Sequence, residues 1–299
     1  MKKLVAMLMI TVMTAGLAVG CGKSDADTQT EGEAMWDSSM DITIVSREDG
    51  SGTRGAFIEL FGIEVKDESG EKVDMTTEDA QITNSTSVMM TTVAGDEYAI
   101  GYISMGSLDD SVKALMIDGS EATADNVKSG DYKVSRPFII ATTKRLDNPV
   151  ADDFIDFIMS ADGQNVVAEN GYIPLDDVMT FESTMPEGKI VIGGSSSVSP
   201  VMEKLVEAYK EMNANAEIEL QTTDSTTGMT SAIDGSYDIG MASRELKDEE
   251  VAAGLIGQVI ATDGIAVIVN LNSTVDELST EQVNTIYTGG AYTWNEVIE

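Results

Sequence analysis

Along residues 41–299, short runs of β-branched and aliphatic residues alternate with segments whose apolar positions recur every three or four residues. That alternation predicts α/β layers with largely parallel strands. The strand cores are Ile42–Val45, Ala99–Ser104, Pro137–Ala141, Lys189–Ile192, Glu217–Gln221, Tyr237–Met241 and Ile265–Asn270. Among the helices predicted between them, Pro200–Met212 is the clearest. Its Val201, Leu205, Val206, Tyr209 and Met212 share one face, and Pro200 takes the first helical position. Asp152–Met159 and Thr280–Tyr287 are two more. Residues 175–188 follow neither period and carry Asp, Ser, Thr, Pro and Gly, so they read as a connector between two blocks of unequal length. No repeat of fixed period relates the blocks.

The chain opens differently. Lys2 and Lys3, the apolar run Leu4–Val19 and then Gly20-Cys21 read as an export signal spanning 1–20. The run is short for a membrane span, and small residues before the cysteine fit the lipoprotein form of the signal. Cys21 is the only cysteine in 299 residues and stands where that chemistry needs it. The polar, acidic residues 21–40 are expected to form a flexible tether, with folding starting near Asp41.

Composition then removes function classes. A formal net charge of −34 repels a nucleic-acid backbone, so no nucleic-acid partner is expected. With no histidine at all, neither Ser-His-Asp nor Cys-His nucleophile systems can be built, and His or Cys metal sites are likewise excluded. Carboxylate chemistry and an oxygen-ligand calcium site remain open. The 52 Asp and Glu are spread along the whole chain, however, which suits a solvated acidic surface.

Three Ser/Thr-rich turns stand between a strand and a helix: Arg47–Thr53, Gly193–Ser199 and Asp224–Gly228. Each offers free backbone N–H groups, hydroxyl donors and the positive end of a helix dipole. Taken singly, such residues are ordinary helix caps. In the first turn Gly50 and Gly52 flank Ser51, allowing close backbone approach, and Arg47 is a cation in an acidic neighbourhood. Neither a Walker A motif nor a dinucleotide fingerprint is present, so a small oxyanion is the better fit.

At these residues the chain resembles a known family. Ser46–Arg54 is similar to the anion loop of the phosphate-binding proteins of Pst-type ABC transporters, and Gly194–Pro200 resembles another of their segments. So do Asp238–Glu245, Asp263–Val269, Ala99–Ser104 and Phe154–Ile158, which together cover most of the chain after the tether. The resemblance implies a two-lobed type II periplasmic-binding-protein fold that closes on one dehydrated phosphate. It implies no enzyme activity and no cofactor. By motif, Arg47 would bind the phosphate charge, Ser51, Gly52 and Thr53 would donate from the loop, and Ser196, Ser197 and Ser225 would supply further donors. Asp49 would mainly orient Arg47.

Two departures from the family stand out. Many members carry, at the position matched by Ser243, an aspartate that accepts the proton of phosphate and rejects sulfate; a serine here moves that discrimination to Asp49 or another acidic group. The order is also exchanged: the block resembling Lys189–Val297 comes first in the family, and the block resembling Asp41–Pro174 follows. A circular permutant accounts for this, as would a rearranged or truncated gene. The lobes are expected at 41–136 plus 261–299 and at 137–260, with crossings near Ser135–Phe138 and Ala261–Gly264. Residue 299 should then end close to Asp41, and Ile42–Val45 should share a sheet with Ile265–Asn270.

The expected function is capture of inorganic phosphate outside the cytoplasm and its delivery to an ABC transporter permease, by a monomer held at the outer face of the membrane through Cys21. The alternatives are another tetrahedral oxyanion such as sulfate or molybdate, a surface sensor or adhesion module, and a carboxylate-dependent hydrolase. The last would need aromatic platforms, and aromatics are only 5% of the chain.

Overall fold

The computed structural model describes residues 36–143, 147–176 and 178–298. The export signal, Cys21 and residues 21–35 of the expected tether lie outside them. In chain order the elements are β1 (Thr43–Arg47), α1 (Gly52–Leu60), the hairpin β2 (Glu64–Lys66) and β3 (Lys72–Asp74), β4 (Gln81–Thr83), α2 (Thr86–Gly95) and β5 (Ala99–Ser104). Two-residue strands β6 (Lys113–Ala114) and β7 (Met116–Ile117), α3 (Ala124–Ser129), β8 (Ser135–Thr143), α4 (Pro149–Ile158) and α5 (Ala161–Glu169) follow. Next come β9 (Gly188–Ser195), α6 (Ser199–Met212), β10 (Ala216–Thr223), α7 (Ser225–Asp234), β11 (Ile239–Ala242) and α8 (Asp248–Ala252). The chain closes with β12 (Leu255–Val269), β13 (Glu277–Leu278), α9 (Thr280–Tyr287) and α10 (Asn295–Ile298).

One sheet runs through the molecule in the order β10-β9-β11-β8-β12-β5-β1-β4. Its two ends are parallel, as the α/β alternation predicts, because a helix returns the chain between β9, β10 and β11 and between β1, β4 and β5. The centre is antiparallel: β8 pairs with β11 and β12, and β12 with β5. The expectation of largely parallel strands is therefore corrected to a mixed sheet. The long strand β12 causes it, pairing with β8 over its first part and with β5 over its second.

Two large hydrophobic clusters flank that centre. One runs from Ile44 to Val134 and resumes from Ile265 to Val297; the other is drawn from Phe138 to Ala261. The two expected crossings lie side by side in the ladder, with Ala261 opposite Phe138, Asp263 opposite Arg136 and Gly264 opposite Ser135. There the Asp263 carboxylate takes bonds from Arg136 Nη2 at 3.0 Å, Arg136 Nε at 3.2 Å and Ser104 Oγ at 2.8 Å, all buried. Burial pushes the Asp263 carboxyl up to about 6 against the pull of Arg136.

The two ends of the described chain meet. Asp41 bridges Thr293, Ile42 N donates to Tyr292 O at 2.8 Å, and Asn295 N donates to Ser38 O at 2.7 Å. β1 and β12 occupy the same sheet with β5 between them, as expected for Ile42–Val45 and Ile265–Asn270. The described fold takes in residues before Asp41: the Trp36 indole lies 5.7 Å from the rings of both Tyr98 and Trp294 and donates to Glu97 O at 3.2 Å. Trp36 covers part of the apolar cluster around Tyr98 and Trp294, and the bonds from Trp294 N to Met40 O and from Asn295 N to Ser38 O hold the rest of the segment in place. Residues 36–40 are thus part of the fold rather than of a tether.

Candidate functional site

The site begins at the end of β1. Arg47 is 2% exposed, and its backbone N–H donates to Tyr102 Oη at 3.1 Å. Tyr102 stacks on Phe57 of α1 with ring centroids 3.8 Å apart, and Tyr287 Oη donates to Val45 O at 3.1 Å, so buried aromatics fix the strand end from behind. Burial keeps the Tyr102 phenol neutral by raising its pKa. The Arg47 fork is then held in plane, with Nε and Nη2 each donating to a Glu48 carboxylate oxygen at 2.8 Å. Its remaining donors face hydroxyls: Nη2 reaches Ser196 Oγ at 3.1 Å and Nη1 reaches Thr86 Oγ1 at 3.5 Å.

This geometry corrects the role given to Asp49. Its side chain is 98% exposed and pairs with Arg54 at 3.2 Å. Asp49 lies at the solvent apex of the turn, whereas Glu48, next to Arg47 and one methylene longer, can present both oxygens to the fork. Glu48 is the residue that orients Arg47.

Hydroxyls and N–H groups from four helix starts close on the Arg47 fork. Ser51 caps α1 by accepting from Arg54 N at 3.3 Å, which leaves Gly52 and Thr53 buried in the first turn. Thr53 Oγ1 lies 2.8 Å from Ser197 Oγ. Thr86, first residue of α2, lies 3.3 Å from both Ser196 Oγ and Ser197 Oγ through its hydroxyl. Ser225 opens α7, but Asp224 does the capping there by accepting from Thr227 N at 2.8 Å. α6 has no side-chain cap at all. In these last two turns Ser196, Ser197 and Ser225 are therefore free of the capping duty that would otherwise explain them, while Ser195 Oγ takes the Ser197 N–H at 3.3 Å.

Ser243, fully buried at the end of β11, accepts from Ser195 Oγ at 3.0 Å, and its N–H donates to Ser225 Oγ at 3.1 Å. Gly52 faces this pair: a Cβ there would come within 2.5 Å of Ser225 Oγ and 2.8 Å of Ser243 Oγ. Of the residues expected to hold or orient the anion, all but Asp49 are thus brought to one place. Two were missed. Thr86 follows Asn84-Ser85 in the same strand-to-helix setting but lacks a flanking glycine, and Glu48 was passed over for Asp49. Among the described residues, no carboxylate oxygen bonds to any of the Thr53, Thr86, Ser195, Ser196, Ser197, Ser225 or Ser243 hydroxyls.

A buried guanidinium held by one carboxylate and faced by helix N-termini is an anion-binding arrangement. Comparison with known proteins decides the family. A model described as "PBP superfamily domain" matches residues 9–162 and 180–298. A phosphate-binding protein PstS 2 from Streptococcus agalactiae is 53% identical over 296 residues, covering 99% of this chain and 98% of the relative. The chain belongs to the PstS family of the PBP superfamily. The solved structure of a phosphate ABC transporter phosphate-binding protein from Streptococcus pneumoniae is 43% identical, covers 86% of this chain and 99% of its own, and superposes with a TM-score of 0.67. A PstS from Bacillus subtilis aligns differently, at 34% identity over 139 residues, which is 46% of this chain and 43% of the relative.

Proposed function

We propose that this protein captures inorganic phosphate outside the cytoplasm and delivers it to the permease of an ABC transporter, without covalent chemistry. The observation that carries the reading is the buried Arg47 fork, anchored by Glu48 and facing hydroxyls from Thr86 and Ser196. A tetrahedral dianion offers several acceptor oxygens to such donors, and helix N-termini stabilise its charge without any need for a metal. The ligand contacts are Arg47, Ser51, Gly52, Thr53, Thr86, Ser196, Ser197, Ser225 and Ser243.

Two lobes, residues 36–136 plus 261–299 and residues 137–260, close on this site about the paired crossings. The division follows the two hydrophobic clusters. The order of the blocks is that of a circular permutant. Contact between residues 38–42 and 292–295 supports a continuous path where this chain has its ends. The match to the B. subtilis relative spans 46% of this chain and 43% of that protein, about the size of one of the two exchanged blocks. Cys21 carries a lipid that holds the monomer at the outer face of the membrane, and Cys21→Ser should move the protein from the membrane fraction to the medium. Calorimetry with phosphate, sulfate and arsenate tests the function: 1:1 phosphate binding is expected, and a site that takes sulfate but not phosphate would reassign the ligand.

A further inference from the structure

Beside the hydroxyl cluster, a second set of contacts joins the anion loop to the opposite lobe. The carbonyl of Gly50 accepts from Thr226 N and from Thr226 Oγ1, each at 3.2 Å. Thr226 Oγ1 in turn accepts from Arg244 Nη2 at 3.4 Å. Arg244 is fixed by the buried Glu250 carboxylate, whose two oxygens take Nη1 at 2.9 Å and Nη2 at 2.7 Å. Glu250 also accepts from Lys247 N at 2.8 Å, and these bonds hold its pKa below the usual range although burial pushes the other way.

None of these side chains belongs to the cluster proposed to hold the anion, yet they converge on the loop that carries Ser51, Gly52 and Thr53. The space at Gly50 points the same way. A Cβ there would collide with the Asp224 carboxylate, so a side chain at this position would push Asp224 off its capping bond to Thr227 N or hold the loop away. The backbone freedom of Gly50 is secondary, since its φ is not in the left-handed region.

We infer that Thr226, backed by Arg244 and Glu250, is an interlobe latch: it grips the Gly50 carbonyl when the lobes close and so sets how long the closed form lasts. The inference rests on the two-lobe phosphate-binding reading above. Thr226 is a positioning residue, acting on the ligand only through the loop. Breaking the latch acts on opening, while the encounter of open lobes with phosphate is untouched.

The test uses the protein carrying Cys21→Ser with spin labels at Glu68→Cys and Glu207→Cys, exposed positions on opposite lobes. Radiolabelled phosphate chased with unlabelled phosphate gives the dissociation rate. Loss of one neutral hydrogen bond from the closed form in Thr226→Val should speed release by about 2- to 12-fold. The association rate and the ligand-free Tm should stay at the parent's, and Thr226→Ser should restore slow release. Gly50→Ala should speed release further, and adding Asp224→Gly should recover much of the loss by removing the collision. Unchanged release in Thr226→Val from a parent that binds phosphate would overturn the latch. Should the parent bind no phosphate, the function fails instead. The interlobe distance distribution then still decides the latch, which requires a smaller closed population in Thr226→Val than in the parent and is refuted by equal ones.

Discussion

Replacing Arg47 by alanine separates a working anion site from a group of ordinary helix caps. The side chain is 2% exposed, two of its nitrogens are tied to Glu48, and Nη1 and Nη2 face Thr86 and Ser196, where the ligand is proposed to sit. Removing one partner of a desolvated, charge-assisted contact costs about 2–5 kcal/mol. That corresponds to a rise in Kd of about 30- to 5,000-fold. The upper part of the range is expected, because Arg47→Ala also leaves the Glu48 carboxylate without its counter-charge beside an incoming anion. Arg47→Lys should fall between, keeping the charge and losing the planar fork. Asp49→Asn is the control: exposed and paired with Arg54, it should leave affinity within a factor of about two. Calorimetry at fixed ionic strength reads the affinities, with thermal melts to establish that each variant is folded. If Arg47→Ala binds phosphate like the parent, or Asp49→Asn weakens binding as much as Arg47→Ala, the site assignment is wrong.

Ser243→Asp should widen the preference for phosphate over sulfate, because a buried carboxylate beside Gly52 can accept a proton from phosphate and repels fully ionised sulfate; competition titrations should show sulfate losing about tenfold or more in affinity. At the crossing, the folded state raises Asp263 from 3.8 to about 6. The native form therefore binds its proton more tightly than the unfolded chain, and this group's stabilising contribution is full below about pH 4 and lost as pH rises through about 6. Melts of the parent and Asp263→Asn between pH 4 and 7 should differ in slope in that direction, and parallel curves would contradict it. Joining residue 298 to Trp36 through a short loop and opening the chain between Glu187 and Gly188 should give a folded protein with the parent's phosphate affinity. A chain that aggregates or does not bind would count against permutation.

Sequence periodicity located strand cores better than strand extents. β12 runs over 15 residues, but only Ile265–Asn270 was recognisable, because Gly257, Gln258, Thr262 and Asp263 interrupt its apolar pattern where it pairs with β8. The exposed hairpin β2–β3 and the short β4 carry no buried alternation to read. α2 was missed because Thr-Ser-Val-Met-Met-Thr-Thr-Val has β-branched residues and no clear polar face. It is held by packing instead, with Met89 and Val93 seated over Gly101 of β5, where any Cβ would collide with them. Thr86 was lost with that helix. Strand direction is also set by which distant segments pair, so the antiparallel centre had no local signature. The Arg47–Thr53 loop was legible because its chemistry is contiguous: arginine, glycine, serine, glycine and threonine within seven residues. Which carboxylate orients the arginine depended on side-chain reach and exposure, and adjacent Glu48 and Asp49 cannot be told apart by composition.

Arsenate, a heavier analogue of phosphate, offers the most direct test of the central claim, through its anomalous X-ray signal in co-crystals. One arsenic peak is predicted between the two lobes, with its oxygens within hydrogen-bond distance of the Arg47 guanidinium, the Thr53, Ser196 and Ser197 hydroxyls and the start of α1. A peak elsewhere on the protein, with the Arg47 fork still bonded only to Glu48, Thr86 and Ser196, would contradict the account.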